Sequence, residues 1–147
     1  HPLHPRDLGE HLEKHLESGG VILGHNIRSF DLPVLNAALD CKAAGDLMSK
    51  SENIIDTKLL VNKAALSFGD VATSLEYLCR TTLDVGKSMT SSDAPKAWRE
   101  GRYNEVADYC LKDSKLTYDL YMYGKENGIV KSRKMDTGEI IEITVEW

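Results

Sequence analysis

Two stretches of this sequence place acids where they could do chemistry. The first is GHNIRSFDLPVL, from Gly24 to Leu35. It follows a short apolar run with β-branched residues and leads into a helical pattern. Ligands of open α/β sheets collect at such carboxyl ends of strands. Asp31, followed by Leu32 and Pro33, also makes a good helix start, so alone it reads as a capping acid. Asn26 alone reads as a turn residue. The second stretch is VADYCLKDSKLTYDLY, from Val106 to Tyr121. Val106, Tyr109, Cys110, Leu116, Leu120 and Tyr121 fall on one helical face. Asp113 interrupts that face. A carboxylate there is expected to be partly or wholly buried, which is costly unless it is paired, hydrogen-bonded or metal-bound. Tyr109 lies one turn earlier on the same face and reads equally as a core tyrosine.

The pattern Asn-x-x-x-Phe-Asp at a strand-to-helix junction resembles the second motif of the DEDD 3′–5′ exonucleases. Its fuller form, GHN-x-x-x-FD-x-P-x-L, is similar to that of family-B DNA polymerase proofreading domains and their stand-alone relatives. Tyr-x-x-x-Asp in a late helix resembles the third motif, and YCLKD is a near match. The motifs stand in the family's order and span residues 20 to 122. One branch of the family carries Tyr four residues before the last acid, and the other carries His five before it. Tyr109 and Asp108 stand at those positions, so the resemblance is to the tyrosine branch.

The resemblance implies a ribonuclease H-like three-layer α/β/α fold and hydrolysis of phosphodiester bonds by two Mg²⁺ or Mn²⁺ ions. Hard cations prefer oxygen ligands, supplied here by carboxylates. It implies that Asp31 and Asp113 are metal ligands and that Tyr109 orients the attacking water. Phe30 and Asn26 would hold the 3′ end of a single-stranded nucleic acid. The family needs four acids, two of them from an Asp-x-Glu motif. No Asp in this sequence has Glu two positions on; Asp7 and Asp136 have it at the third, where it would not share a strand face. The resemblance puts Asp-x-Glu upstream of His1. The expectation is a partial domain over residues 1 to 147, with N-terminal strands missing, an unpaired sheet edge and little activity alone. A non-catalytic nucleic-acid-binding or scaffold module is the alternative.

The rest of the pattern supplies the elements to hold these residues. Leu8, Leu12 and Leu16 predict a helix over 7–18, stopped by Gly19-Gly20. Residues 20–25 predict a buried strand, and Asp31 opens a helix to about Ala44, stopped at Gly45. A short strand and a helix capped by Asp56-Thr57 follow over 53–61. Residues 74–83 and 104–124 read as helices, and VGKSMTSSDAP between them as a surface loop. The tail from 129 to 147 reads as a hairpin around Asp-Thr-Gly. Alternating strands and helices point to α/β.

Composition sets the limits. The 147 residues suit one domain with its own core. A net charge of −5 argues against a nonspecific electrostatic grip on nucleic acid, although bound divalent cations would reverse the sign locally. No run is long and apolar enough for a membrane span. Three cysteines without CxxC spacing point to a reducing compartment, the cytoplasm, rather than to a disulfide framework. His11 and His15 share a helix face but lack the metalloprotease pattern. Lys87 with Ser88 to Ser92, and Lys131, Arg133 and Lys134, could face a nucleic-acid strand or be solvated surface.

Overall fold

A computed structural model describes residues 5–38, 42–49, 51–86 and 92–147. The chain is mixed α/β with helices predominating, and it divides into two compact units, His1–Leu59 and Leu60–Trp147. Lys87 to Ser91 and Cys41 lie outside the described residues. Among the described residues no helix is long and apolar enough to cross a membrane.

The first unit opens with α1 (Pro5–Glu17), whose Leu12 and Leu16 pack on a core of Leu32, Ala44, Leu47 and Ile54. Gly19 ends the helix with a positive φ of 79°, a conformation glycine adopts without strain. His15 Nε2 lies 3.0 Å from the Val21 carbonyl oxygen, so this histidine ties the end of α1 to the next strand. That strand, β1 (Ile22–Gly24), pairs in parallel with β2 (Ile54–Asp56). The buried strand expected over 20–25 is thus shorter, and its residues are half-buried. With β2 as its partner among the described residues, it has no broad sheet to cover it.

Between these strands run α2 (Asp31–Ala38) and α3 (Lys42–Ser49). The single helix expected from Asp31 to Ala44 is two helices, and Gly45 lies inside the second. Its role is tertiary. A Cβ at Gly45 would sit 2.7 Å from Asn36 Oδ1, so the missing side chain lets α3 approach α2.

The unit boundary falls within α4 (Thr57–Ala64). The second unit continues with α5 (Leu75–Leu83). Ser74 accepts the Tyr77 N–H at its start, and Asp84 closes it in the left-handed conformation. The polar stretch read as a loop to Pro95 turns helical at Asp93, where α6 (Asp93–Arg99) begins. Asp-x-Pro is a helix start here, as it is at Asp31. Helix α7 (Tyr103–Asn127) is the longest element, and Gly128 ends it with φ 71°.

The tail is an antiparallel hairpin of β3 (Ile129–Arg133) and β4 (Ile140–Thr144), the arrangement read from its alternation. Val130, Ser132, Ile141 and Ile143 face inward onto Val61, Leu75, Leu78, Cys79 and Leu120. A lone hairpin is marginal in water. Here the outer edge of β3 is covered. Thr81 and Thr82 donate hydroxyls to the Lys131 carbonyl, and Lys131 N–H donates to Thr82 at 2.9 Å. Further along, Ala72 N–H donates to Arg133 O at 2.9 Å and Met135 N–H to Asp70 O at 3.0 Å.

Gly124 lies buried inside α7, where glycine is about 1 kcal/mol worse than alanine. Trp147 explains it. Its ring stacks on Tyr121 and its Nε1–H donates to the Tyr121 carbonyl at 2.8 Å. A Cβ at Gly124 would fall 2.4 Å from that ring. Gly124→Ala should therefore destabilise the second unit by about 1–3 kcal/mol, the usual cost of overpacking, despite its better helix propensity. Thermal unfolding followed by tryptophan fluorescence checks this; a raised midpoint would contradict the seat assigned to Trp147.

Candidate active-site loop and helix

The first unit is organised around one buried carboxylate, Asp56, which is 5% exposed. Buried charge is tolerated where hydrogen bonds replace water. Asp56 Oδ1 accepts Asn26 N–H at 2.9 Å and Oδ2 accepts Arg28 N–H at 3.1 Å. Oδ1 also accepts Lys58 N–H at 3.1 Å and Leu59 N–H at 3.3 Å. The last two bonds are the helix cap that the sequence suggests for Asp56. The first two reach across to the chain after β1.

That reach follows from the strand register, which sets Gly24 beside Asp56. The chain must turn at once to leave β1. Asn26 adopts a left-handed φ of 68°, which asparagine tolerates better than most residues. Phe30 N–H then donates to Asn26 O at 3.1 Å, and Leu32 N–H to Ile27 O at 3.0 Å, leading into α2. Gly24 is needed because a Cβ there would lie 2.6 Å from Ile27 Cβ. Thr57 adds a second tie: its hydroxyl donates to Gly24 O at 3.3 Å and lies 2.8 Å from His25 Nδ1.

This loop carries three of the residues marked by the sequence. Asn26 is half-buried. Phe30 is 62% exposed, an apolar ring held out into solvent. Asp31 is the first residue of α2 and is exposed as a residue, yet its carboxyl is crowded enough to lose water. That partial burial pushes its pKa above the ordinary 3.8; its own backbone N–H pulls it down, and the Asp56 carboxylate pushes it up.

Tyr109 and Asp113 lie one turn apart on α7, in the second unit, and both are half-buried. The face drawn through this helix needs correction. Leu116, Thr117, Leu120 and Gly124 meet the core or are buried, whereas Cys110 is exposed and Val106 only half-buried. The reason is what packs where. Helix α5 and strand β3 cover the later part of α7, while the short α6 is the other helix of this unit that packs on it. Asp113 is therefore partly buried at the end of the core stripe rather than inside it.

Phe30, Asp31, Asn26 and Asp56 thus gather around one loop, and Tyr109 and Asp113 share one helix face. Among the described residues, no group of three or more His, Cys, Asp or Glu could hold a metal ion. Asp56 has its oxygens committed to backbone N–H groups, leaving Asp31 as the carboxylate of the loop suited to ligation. Asp31 and Asp113 are two carboxylates, fewer than the ligand set a pair of hard cations requires. Asp56 is the residue the sequence undervalued. Only its capping role was legible, because its bonds to Asn26 and Arg28 depend on strand pairing. No family model matches this chain, and neither a curated protein nor a solved structure matches it.

Asp56→Ala would strand the N–H groups of Asn26 and Arg28. It should cost the first unit about 3 kcal/mol or more in urea unfolding, since each unsatisfied buried donor costs roughly 1–3 kcal/mol. Amide exchange at Asn26 and Arg28 should accelerate first; unchanged exchange there would refute the anchoring role. Asp31 has the opposite sign. Its raised folded-state pKa means its contribution is favourable below the unfolded value near 3.8 and is lost as pH rises through the folded value. Asp31→Asn should therefore unfold at higher urea than the parent at pH 7, with the difference vanishing below pH 3.8. A less stable variant at pH 7 would contradict this.

Proposed function

We propose that this chain is part of a 3′–5′ exonuclease domain of the tyrosine-branch DEDD type, with a ribonuclease H-like fold. The observation that carries this reading is the Asn26–Asp31 loop. A rigid backbone clamp holds an exposed phenyl ring beside a carboxylate whose ionisation the fold disfavours. Neither feature helps folding. Exposed aromatic rings serve as stacking platforms for bases, and carboxylates held at an energetic cost mark functional sites. The parallel pairing of β1 and β2, with the loop at the carboxyl end of β1, agrees with an α/β nuclease.

In this reading Phe30 stacks the terminal base of a single strand and Asn26 fixes the turn that aims it. Tyr109 orients water through its hydroxyl, and Asp31 and Asp113 are ligands for Mg²⁺ or Mn²⁺. Such ions, when bound, supply charge stabilisation for the attacking and leaving oxygens. This sequence carries two of the four acids that the chemistry uses. The alternative reading is a nucleic-acid-binding or scaffold module that does no hydrolysis.

Phe30→Ala should weaken binding of a single-stranded oligonucleotide by roughly fivefold or more, the usual loss of one stacked base, without lowering stability. Unchanged affinity would remove the platform. The 147-residue protein with Mg²⁺ or Mn²⁺ should trim 3′ ends slowly or not at all. Robust trimming abolished by Asp113→Asn would show that two acids suffice and would end the scaffold reading.

A further inference from the structure

The second unit holds a cavity of about 670 Å³ between α5 and β3, within the size range of ligand sites. Its walls include Arg80, Lys131 and Arg133, with Asp84 as the single acid among the lining residues. This runs against the net charge of −5 for the whole chain.

The strand geometry explains the cluster. Val130 and Ser132 are fully buried, so the intervening Lys131 and the following Arg133 project from the opposite face of β3. Two residues along a strand set them roughly 6.6 Å apart. The Lys131 backbone is fixed from α5 through Thr81 and Thr82, which leaves its ammonium group for the cavity. Arg80 and Lys134 form ion pairs nearby, whereas among the described residues Lys131 and Arg133 take part in none. Arg80 pairs with Glu76 at 2.8 Å, but both side chains are exposed and such a pair is weak. Glu142 lies across the ladder from Lys131. Tyr77 adds an aromatic ring to the wall, 38% exposed.

Two cations outside any ion pair among the described residues, a third held by a weak pair, and an aromatic ring match a phosphate backbone that carries bases. We propose that this cavity is a second binding site, for the backbone of a single nucleic-acid strand, with Tyr77 stacking one base. Lys131 and Arg133 contact phosphates, and Arg80 exchanges Glu76 for a third. The site uses none of the motif residues and rests on the nucleic-acid reading above for its ligand class.

The test is fluorescence anisotropy of the full chain with a labelled oligothymidylate of about a dozen nucleotides, within the range of single-strand site sizes. EDTA is present throughout, so metal binding plays no part. The paired substitution Lys131→Ala with Arg133→Ala should weaken binding and flatten the slope of log affinity against log salt by about 1.4, or ~0.7 per lost contact. Tyr77→Ala should weaken binding roughly fivefold or more with the slope unchanged. Lys63→Ala, an exposed lysine outside the cavity, should change neither. Near-ultraviolet circular dichroism of Trp147 reports that each variant keeps its packing. Parental affinity and slope in the paired variant overturn the proposal, as does a parent that binds no strand at low salt. Displacement by inorganic polyphosphate with no effect of Tyr77→Ala overturns the nucleic-acid assignment. Loss of binding in Phe30→Ala alone overturns this site and leaves the exonuclease reading standing; loss in the cavity variants alone does the reverse.

Discussion

The first unit depends on a buried carboxylate, Asp56, whose oxygens accept backbone N–H groups from two parts of the chain. Asp56 accepts hydrogen bonds from two segments about thirty positions apart, the chain after β1 and the first turn of α4. Each donor would otherwise face a problem of its own. The first N–H groups of a helix have no partner within it, and N–H groups in a tight turn are hard to satisfy. One carboxylate answers both needs. The pairing of β1 with β2, the left-handed Asn26 and the entry into α2 are parts of a single arrangement.

The second unit solves a different problem by different means. In its hairpin, β3 has one edge against β4 and would have the other bare. Hydroxyls from α5 and the backbone of residues 70–72 occupy that bare edge, so a two-stranded sheet is held much as a wider one would be. On the other side, the ring of Trp147 seats where Gly124 leaves α7 without a side chain. At these places the contacts are uncharged: hydroxyls, backbone pairs and an indole, where the first unit uses a buried carboxylate.

How much of this was legible in the sequence depended on how local each cause was. The helices α1, α5 and α7 follow from short-range periodicity, and the hairpin from alternation around Asp-Thr-Gly; the Ser74 cap of α5 did not show in the pattern, which took Ser74 into the helix. Gly45 misled because its reason is the approach of Asn36 from another helix, which no local pattern carries. The Pro95 region misled because proline serves both loops and helix starts. Cys110 was assigned inward because periodicity gives a face but not what covers it. For the site, residue types alone singled out Asn26, Phe30, Asp31, Tyr109 and Asp113. The clamp that shapes the loop of Asn26, Phe30 and Asp31 was out of reach, because it joins residues that only β1–β2 pairing makes neighbours.

The loop is held by its backbone, and that has an evolutionary consequence. Asp56 grips the amides of residues 26 and 28, which every amino acid except proline provides. The exposed side chains of Ser29 and Phe30 have no part in that grip. Selection can therefore exchange them, altering what the loop touches, without moving the loop or undoing the unit that carries it. The fold of the loop and its exposed surface are written in separate atoms of the same few residues, so that surface can drift while its scaffold stays fixed.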